Sequence, residues 1–77
     1  MQAKVIPLLG LKKIRKARGL NQLKVAMDLS VSREALSHYE TGARSPDLGM
    51  LLRLSDYFGV SVDYLIRGEE YPGDPRS

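Results

Sequence analysis

Apolar residues recur along this chain at three- and four-residue intervals, in short blocks separated by glycine, proline and small polar residues. That spacing predicts amphipathic helices, each turning one face to a shared core. The first block carries Leu11 and Ile14 within a helix from Leu9 or Gly10 to Arg18, and Gly19 follows as a helix stop. Asn21 is a good N-cap for a second helix, Gln22 to about Leu29, with Val25, Ala26 and Leu29 as its inward stripe. After a tight turn at Ser30-Val31, Ser32 caps a third helix, with Glu34 in the first turn where the dipole favours an acid. Leu36 and Tyr39 point inward from it, Arg33, Glu34, Ser37 and His38 lie around its other side, and Thr41-Gly42 ends it. The loop Ala43-Arg44-Ser45-Pro46 leads to a fourth helix, Asp47 to Phe58, with Leu48, Leu51, Leu54, Ser55 and Phe58 as its predicted buried stripe. Gly59 closes that helix, Ser61 caps a fifth, and Val62, Leu65 and Ile66 complete the predicted core.

No alternating run supports a sheet, so the predicted fold class is all-α, with five helices. A chain of 77 residues makes one domain. The expected organisation is an N-terminal arm over 1–8, a helical domain over 9–68 and a short tail over 69–77, where Pro72-Gly73-Asp74-Pro75 reads as frayed. With no cysteine and one histidine, neither disulfides nor a structural zinc site is expected, and no cofactor is called for. The core has to be hydrophobic. No segment approaches the roughly 20 apolar residues that cross a bilayer. The longest apolar stretch, Val5 to Leu11 around Pro7, precedes the basic run Lys12 to Arg18, the reverse of a secretory signal. Cytoplasmic residence, away from any membrane, is the expectation.

Net charge is +3, but its distribution says more. Residues 1–44 hold nine Lys/Arg against three acids, whereas residues 45–77 hold three against six. A basic first half suits a surface that faces a polyanion, although basic runs are more often simply solvated.

The second and third helices form a bihelical unit with constrained positions. Counting Gln22 as position 1, small Ala26 falls at 5, the turn residue Ser30 at 9, and Leu36 and Tyr39 at 15 and 18. A small residue at 5 lets the helices approach, position 9 turns sharply, and 15 and 18 anchor the second helix from beneath. The outer face of that helix is then free to enter a major groove about 12 Å wide. The strings Leu11 to Gln22 (LKKIRKARGLNQ) and Val31 to Gly42 (VSREALSHYETG), with Pro46-Asp47-Leu48 and Leu54 to Leu65, resemble the lambda-repressor-like (Cro/Xre-type) helix-turn-helix family over residues 9 to 68. One departure is Ser30, where the family commonly has glycine; a left-handed serine there costs roughly 1 kcal/mol.

The resemblance implies a sequence-specific double-stranded DNA-binding regulator, expected to be a repressor that docks the third helix in a palindromic operator as a homodimer. It implies base contacts for Arg33, Glu34, Ser37 and His38: arginine to guanine, and glutamate to a cytosine amine unless Glu34 is only a first-turn acid. Asn21, Gln22, Ser32, Arg44, Ser45, Lys12 and Lys16 are the implied phosphate contacts, with capping as an alternative for Asn21. Arg15 and Glu40 are implied to form a structural ion pair. The dimer surface is expected on exposed parts of the last two helices, at Tyr57, Tyr64 and Ile66; an inducer or protein partner is left unspecified. An enzyme is not expected, because Ser37 and His38 diverge by about 100° on a helix and no oxyanion site or paired carboxylates appear. An antitoxin-like or other protein-interaction module remains the alternative. A basic amphipathic membrane helix does not account for the spacing over residues 21–42.

Overall fold

Caps and turn residues divide the described part of the chain, residues 6–69 of the computed structural model, into five helices with no strand. These are α1 (Leu9–Ala17), α2 (Gln22–Leu29), α3 (Arg33–Thr41), α4 (Leu48–Phe58) and α5 (Val62–Arg67). In α2 to α5 the N-cap side chains of Asn21, Ser32, Asp47 and Ser61 each accept from the backbone N–H three residues on, which satisfies one orphan donor per helix. Helix α1 lacks such a cap. Its entry is fixed instead by Leu8, whose side chain is buried and whose N–H donates to the Tyr39 carbonyl at 3.0 Å.

Ser30 ends α2 in the left-handed region, at φ 58° and ψ 41°, and is the only non-glycine among the described residues with positive φ. The strain expected of a serine at this turn is therefore present. Ser30→Gly is expected to raise stability by about 0.5–1 kcal/mol in urea unfolding, net of the extra freedom glycine gives the unfolded chain. A loss of stability would mean that the Ser30 side chain contributes more than its backbone costs.

Leu11, Val25, Leu36, Leu54, Phe58 and Leu65 are fully enclosed, one or two from each helix, and Ala26, Leu29 and Tyr39 join them. Three expectations for the later helices need correction. Leu48 is 80% exposed, not part of the buried stripe. It is the first residue of α4, and helical side chains lean toward the N-terminus, which carries Leu48 past the end of the core. Tyr57, Tyr64 and Ile66, expected to be exposed, are each half-buried; the exposed apolar residues of α4 are Leu48 and Leu52. Val62 is likewise only half-buried. The run at 72–75 lies outside the described residues.

Two polar contacts tie α4 to the last turn of α2. Arg53 Nη2 donates to the Leu29 carbonyl at 2.7 Å, and the Tyr57 hydroxyl donates to Asp28 Oδ2. The Tyr57 hydrogen bond, helped by Lys24, holds the Asp28 carboxyl below its ordinary value of 3.8, and the same bond pushes the Tyr57 phenol above 10.0. Asp28 therefore contributes stability that is present above pH 3.8 and lost as pH falls through its lowered value. The Tyr57 contribution is present below pH 10.0 and lost as pH rises through its raised value. Tyr57→Phe is expected to lower the melting temperature near neutrality and to flatten the decline at both edges. Melting curves that parallel the wild type at every pH would break this link.

The first and last helices cross at Gly10. A Cβ built there would lie 1.8 Å from the Tyr64 carbonyl oxygen and 2.9 Å from Leu65 Cα. Nearby, Lys13 Nζ donates to the Gly68 carbonyl at 2.8 Å.

Candidate nucleic-acid interface

Helices α2 and α3 pack through Ala26, which is 1% exposed, and the turn between them is closed by the Val31 N–H on the Ala26 carbonyl at 3.0 Å. A larger side chain at this point would hold the helices apart. Leu36 and Tyr39 root α3 in the core, so its opposite face has to look outward. That face carries Arg33 and Glu34, both exposed, and Ser37 and His38, both half-buried. The four line one open hollow of about 250 Å³ together with Gln22 from α2. His38 encloses its Nδ1 without a hydrogen-bond partner, which leaves Nε2 as the ring nitrogen able to meet a ligand.

The expected backbone contacts are more dispersed. Asn21 and Ser32 both act as caps, and the Ser32 hydroxyl keeps its donor for a further acceptor. Asn21 and Gln22 also border a second, wider hollow of about 450 Å³ with Arg15, Leu23 and Arg33. Arg44 and Ser45 are exposed in the loop after α3, where the Arg44 N–H bonds the His38 carbonyl. Ser45 additionally borders an apolar groove with Ile6, Leu8, Pro46, Leu51 and Ile66. Lys12 and Lys16 are exposed one turn apart on α1 and border neither of the first two hollows.

Arg15 and Glu40 meet beneath this surface. Arg15 Nε donates to Glu40 Oε2 at 2.6 Å and Nη2 to Oε1 at 3.0 Å, while Nη1 reaches the Leu20 carbonyl at 2.8 Å. Their side chains are 8% and 2% exposed. A planar guanidinium suits this two-point grip on a carboxylate. The residue unforeseen in this arrangement is Gln22 as a partner of Glu40, with Nε2 to Oε1 at 3.1 Å. Spacing alone could not have paired them, since the contact joins two helices across 18 positions.

Among the described residues, no group of His, Asp and Glu is placed to hold a metal ion, and no helix is long and apolar enough to cross a membrane. Comparison with known proteins adds an independent line. A helix-turn-helix family model matches residues 11–65, well over half of the chain. An uncharacterised HTH-type transcriptional regulator of Bacillus subtilis, YqaE, is 44% identical over 59 residues, covering 77% of this chain and 51% of the relative. The HTH-type transcriptional regulator ImmR of the same organism is 40% identical over 60 residues, covering 78% and 47%. The HTH-type transcriptional activator BcrR of Enterococcus faecalis is 38% identical over 60 residues, covering 78% and 29%. The chain thus spans about half, or less, of the length of these relatives. From its capped bihelical unit, its all-α core and these matches together, the chain belongs to the helix-turn-helix family, of the lambda-repressor-like Cro/C1 type.

Proposed function

We propose that the protein is a sequence-specific, double-stranded DNA-binding transcriptional regulator that lays α3 in the major groove. The observation that carries this reading is the outward grouping of Arg33, Glu34, Ser37 and His38 around one hollow, on a helix rooted by Leu36 and Tyr39. Donors and acceptors that face one way are what base-edge reading requires. Arg33 reads a guanine edge, with Glu34, Ser37 and His38 completing the face. Asn21, Gln22, Ser32, Arg44, Ser45, Lys12 and Lys16 supply phosphate contacts. The regulator acts as a homodimer on a palindrome, with Leu48 and Leu52 better exposed for contact between copies than Tyr57. We favour repression by promoter occlusion, while the name of one relative marks an activator.

Selection of bound sequences from a random duplex pool tests this reading. A short palindrome bound at least about a thousandfold more tightly than scrambled DNA is the expected result. With about three phosphates neutralised per subunit, log K should fall with a slope near −5 against log salt. Arg33→Ala should relax sequence preference, and Arg44→Ala should weaken all sequences alike. Equal effects from both would mean that base and phosphate contacts are misassigned. The exposed apolar pair Leu48 and Leu52 favours the second reading, a protein-interaction module of the antitoxin kind. A folded protein that enriches no sequence would turn the search to that partner.

A further inference from the structure

His38 stands in the outward face of α3 with one ring nitrogen enclosed and the other open. Nδ1 is shut off from solvent and has no hydrogen-bond partner among the described residues. Nε2 is not enclosed, and the residue lines the hollow that it shares with Gln22, Arg33, Glu34 and Ser37. Among the described residues, no side chain of that hollow hydrogen-bonds to the ring. A neutral imidazole carries a proton on one nitrogen and a lone pair on the other. With the proton on Nδ1, an N–H would be enclosed with nothing to accept it. With the proton on Nε2, solvent or a ligand satisfies the donor, and only a lone pair is enclosed. Among buried backbone groups, stranded N–H donors are rarer than under-used acceptors, and the same asymmetry favours the Nε2–H form here. The tautomer of a histidine is commonly set by a hydrogen bond at its other nitrogen; in His38 enclosure takes that role.

We propose that His38 reads DNA as a donor only, giving its Nε2–H to the N7 of a purine in the major groove. The inference rests on α3 as the base-reading helix and adds the polarity of one of its contacts. N7 is an acceptor on adenine and guanine alike, but guanine sets a second acceptor beside it, whereas adenine sets an amine there. Guanine is therefore preferred. A cytosine edge offers only its amine, which would meet Nε2–H donor to donor, so cytosine is rejected. Glu34 lies one turn earlier on the same side of α3, and its carboxylate only accepts. The two residues thus present opposite polarities to the groove.

The duplex selected by the wild-type protein would be rebuilt with 7-deazaguanine or 7-deazaadenine at each purine in turn, which replaces N7 by C–H and leaves pairing intact. A second set would carry N4-methylcytosine at each cytosine, which blocks the amine. Both sets would be titrated against wild type and His38→Ala, with His38→Met in its place should the alanine variant lose helix content. In each half-site a purine is expected at which the missing N7 costs the wild type about tenfold and costs the variant nothing. Sensitivity to N4-methylcytosine that disappears with His38 would show the ring accepting, and would overturn the proposal. So would a variant that weakens every duplex alike, the mark of a phosphate contact, or one as sensitive as the wild type at every purine. Long-range ¹H–¹⁵N correlation of the ring in the free protein should place the proton on Nε2; a proton on Nδ1 overturns the proposal without any DNA. A wild-type protein that selects no sequence overturns the base-reading helix itself, before any variant or modified base is compared.

Discussion

Gly10→Ala is expected to unfold a large fraction of the protein, with a loss of about 3 kcal/mol or more from a domain whose whole stability is of order 5 kcal/mol. The reason is backbone against backbone. The added methyl would sit 1.8 Å from the Tyr64 oxygen and 2.7 Å from its carbonyl carbon, neither of which can swing aside as a long side chain does. Relief requires α1 and α5 to separate, which uncovers Leu11 and Leu65, both fully buried. Gly49→Ala is the matched control. It too lies within a helix, but its Cβ would meet only Asp47 Oδ1, at an ordinary 3.5 Å. There the usual helix preference for alanine should stabilise the protein by up to about 1 kcal/mol. Urea unfolding followed by circular dichroism separates the two. Equal effects at both positions would mean that the close approach at Gly10 contributes little.

Glu40→Ala is expected to cost about 3–5 kcal/mol, because it strands the Arg15 guanidinium where only 8% of the side chain is exposed. The cost belongs to the unpaired charge more than to the pair. Replacing both partners together, as Arg15→Met with Glu40→Leu, should recover much of the loss, since an apolar pair of similar size needs no compensation. A double-mutant cycle in urea reads this directly. If the double variant is no more stable than Glu40→Ala, the bidentate grip and the bond to the Leu20 carbonyl contribute net stability of their own.

Helix positions were legible because their signals are local. Asn21, Ser32 and Ser61 cap where a capping residue precedes an apolar stripe, and Gly42 and Gly59 end helices where expected. The buried stripes of α2 and α3 followed from spacing. Leu48 was misread because spacing gives a residue its side of the helix but not whether the core extends that far. The pairs that organise the surface were not legible from spacing. Arg15 with Glu40 was implied by family resemblance alone, and Gln22 with Glu40, Arg53 with Leu29 and Tyr57 with Asp28 depend on how helices rotate against one another. Gly10 reads in the sequence only as a possible helix start. Its closeness to Tyr64 is a property of two helices more than fifty positions apart.

That crossing also bears on how the domain assembles. Helix α5 has six residues, too few to persist alone in water, so it has to borrow its stability from α1 and α4. Bringing Lys13 to Gly68 closes a loop of 55 positions, whereas α2 and α3 meet across a turn of three residues. The entropy of loop closure places the α1–α5 seam late in folding and the bihelical unit early. Once shut, the seam leaves neither end helix able to fray independently. Amide exchange in α5 should then proceed only when the whole domain opens, and its slowest protons should report the global free energy.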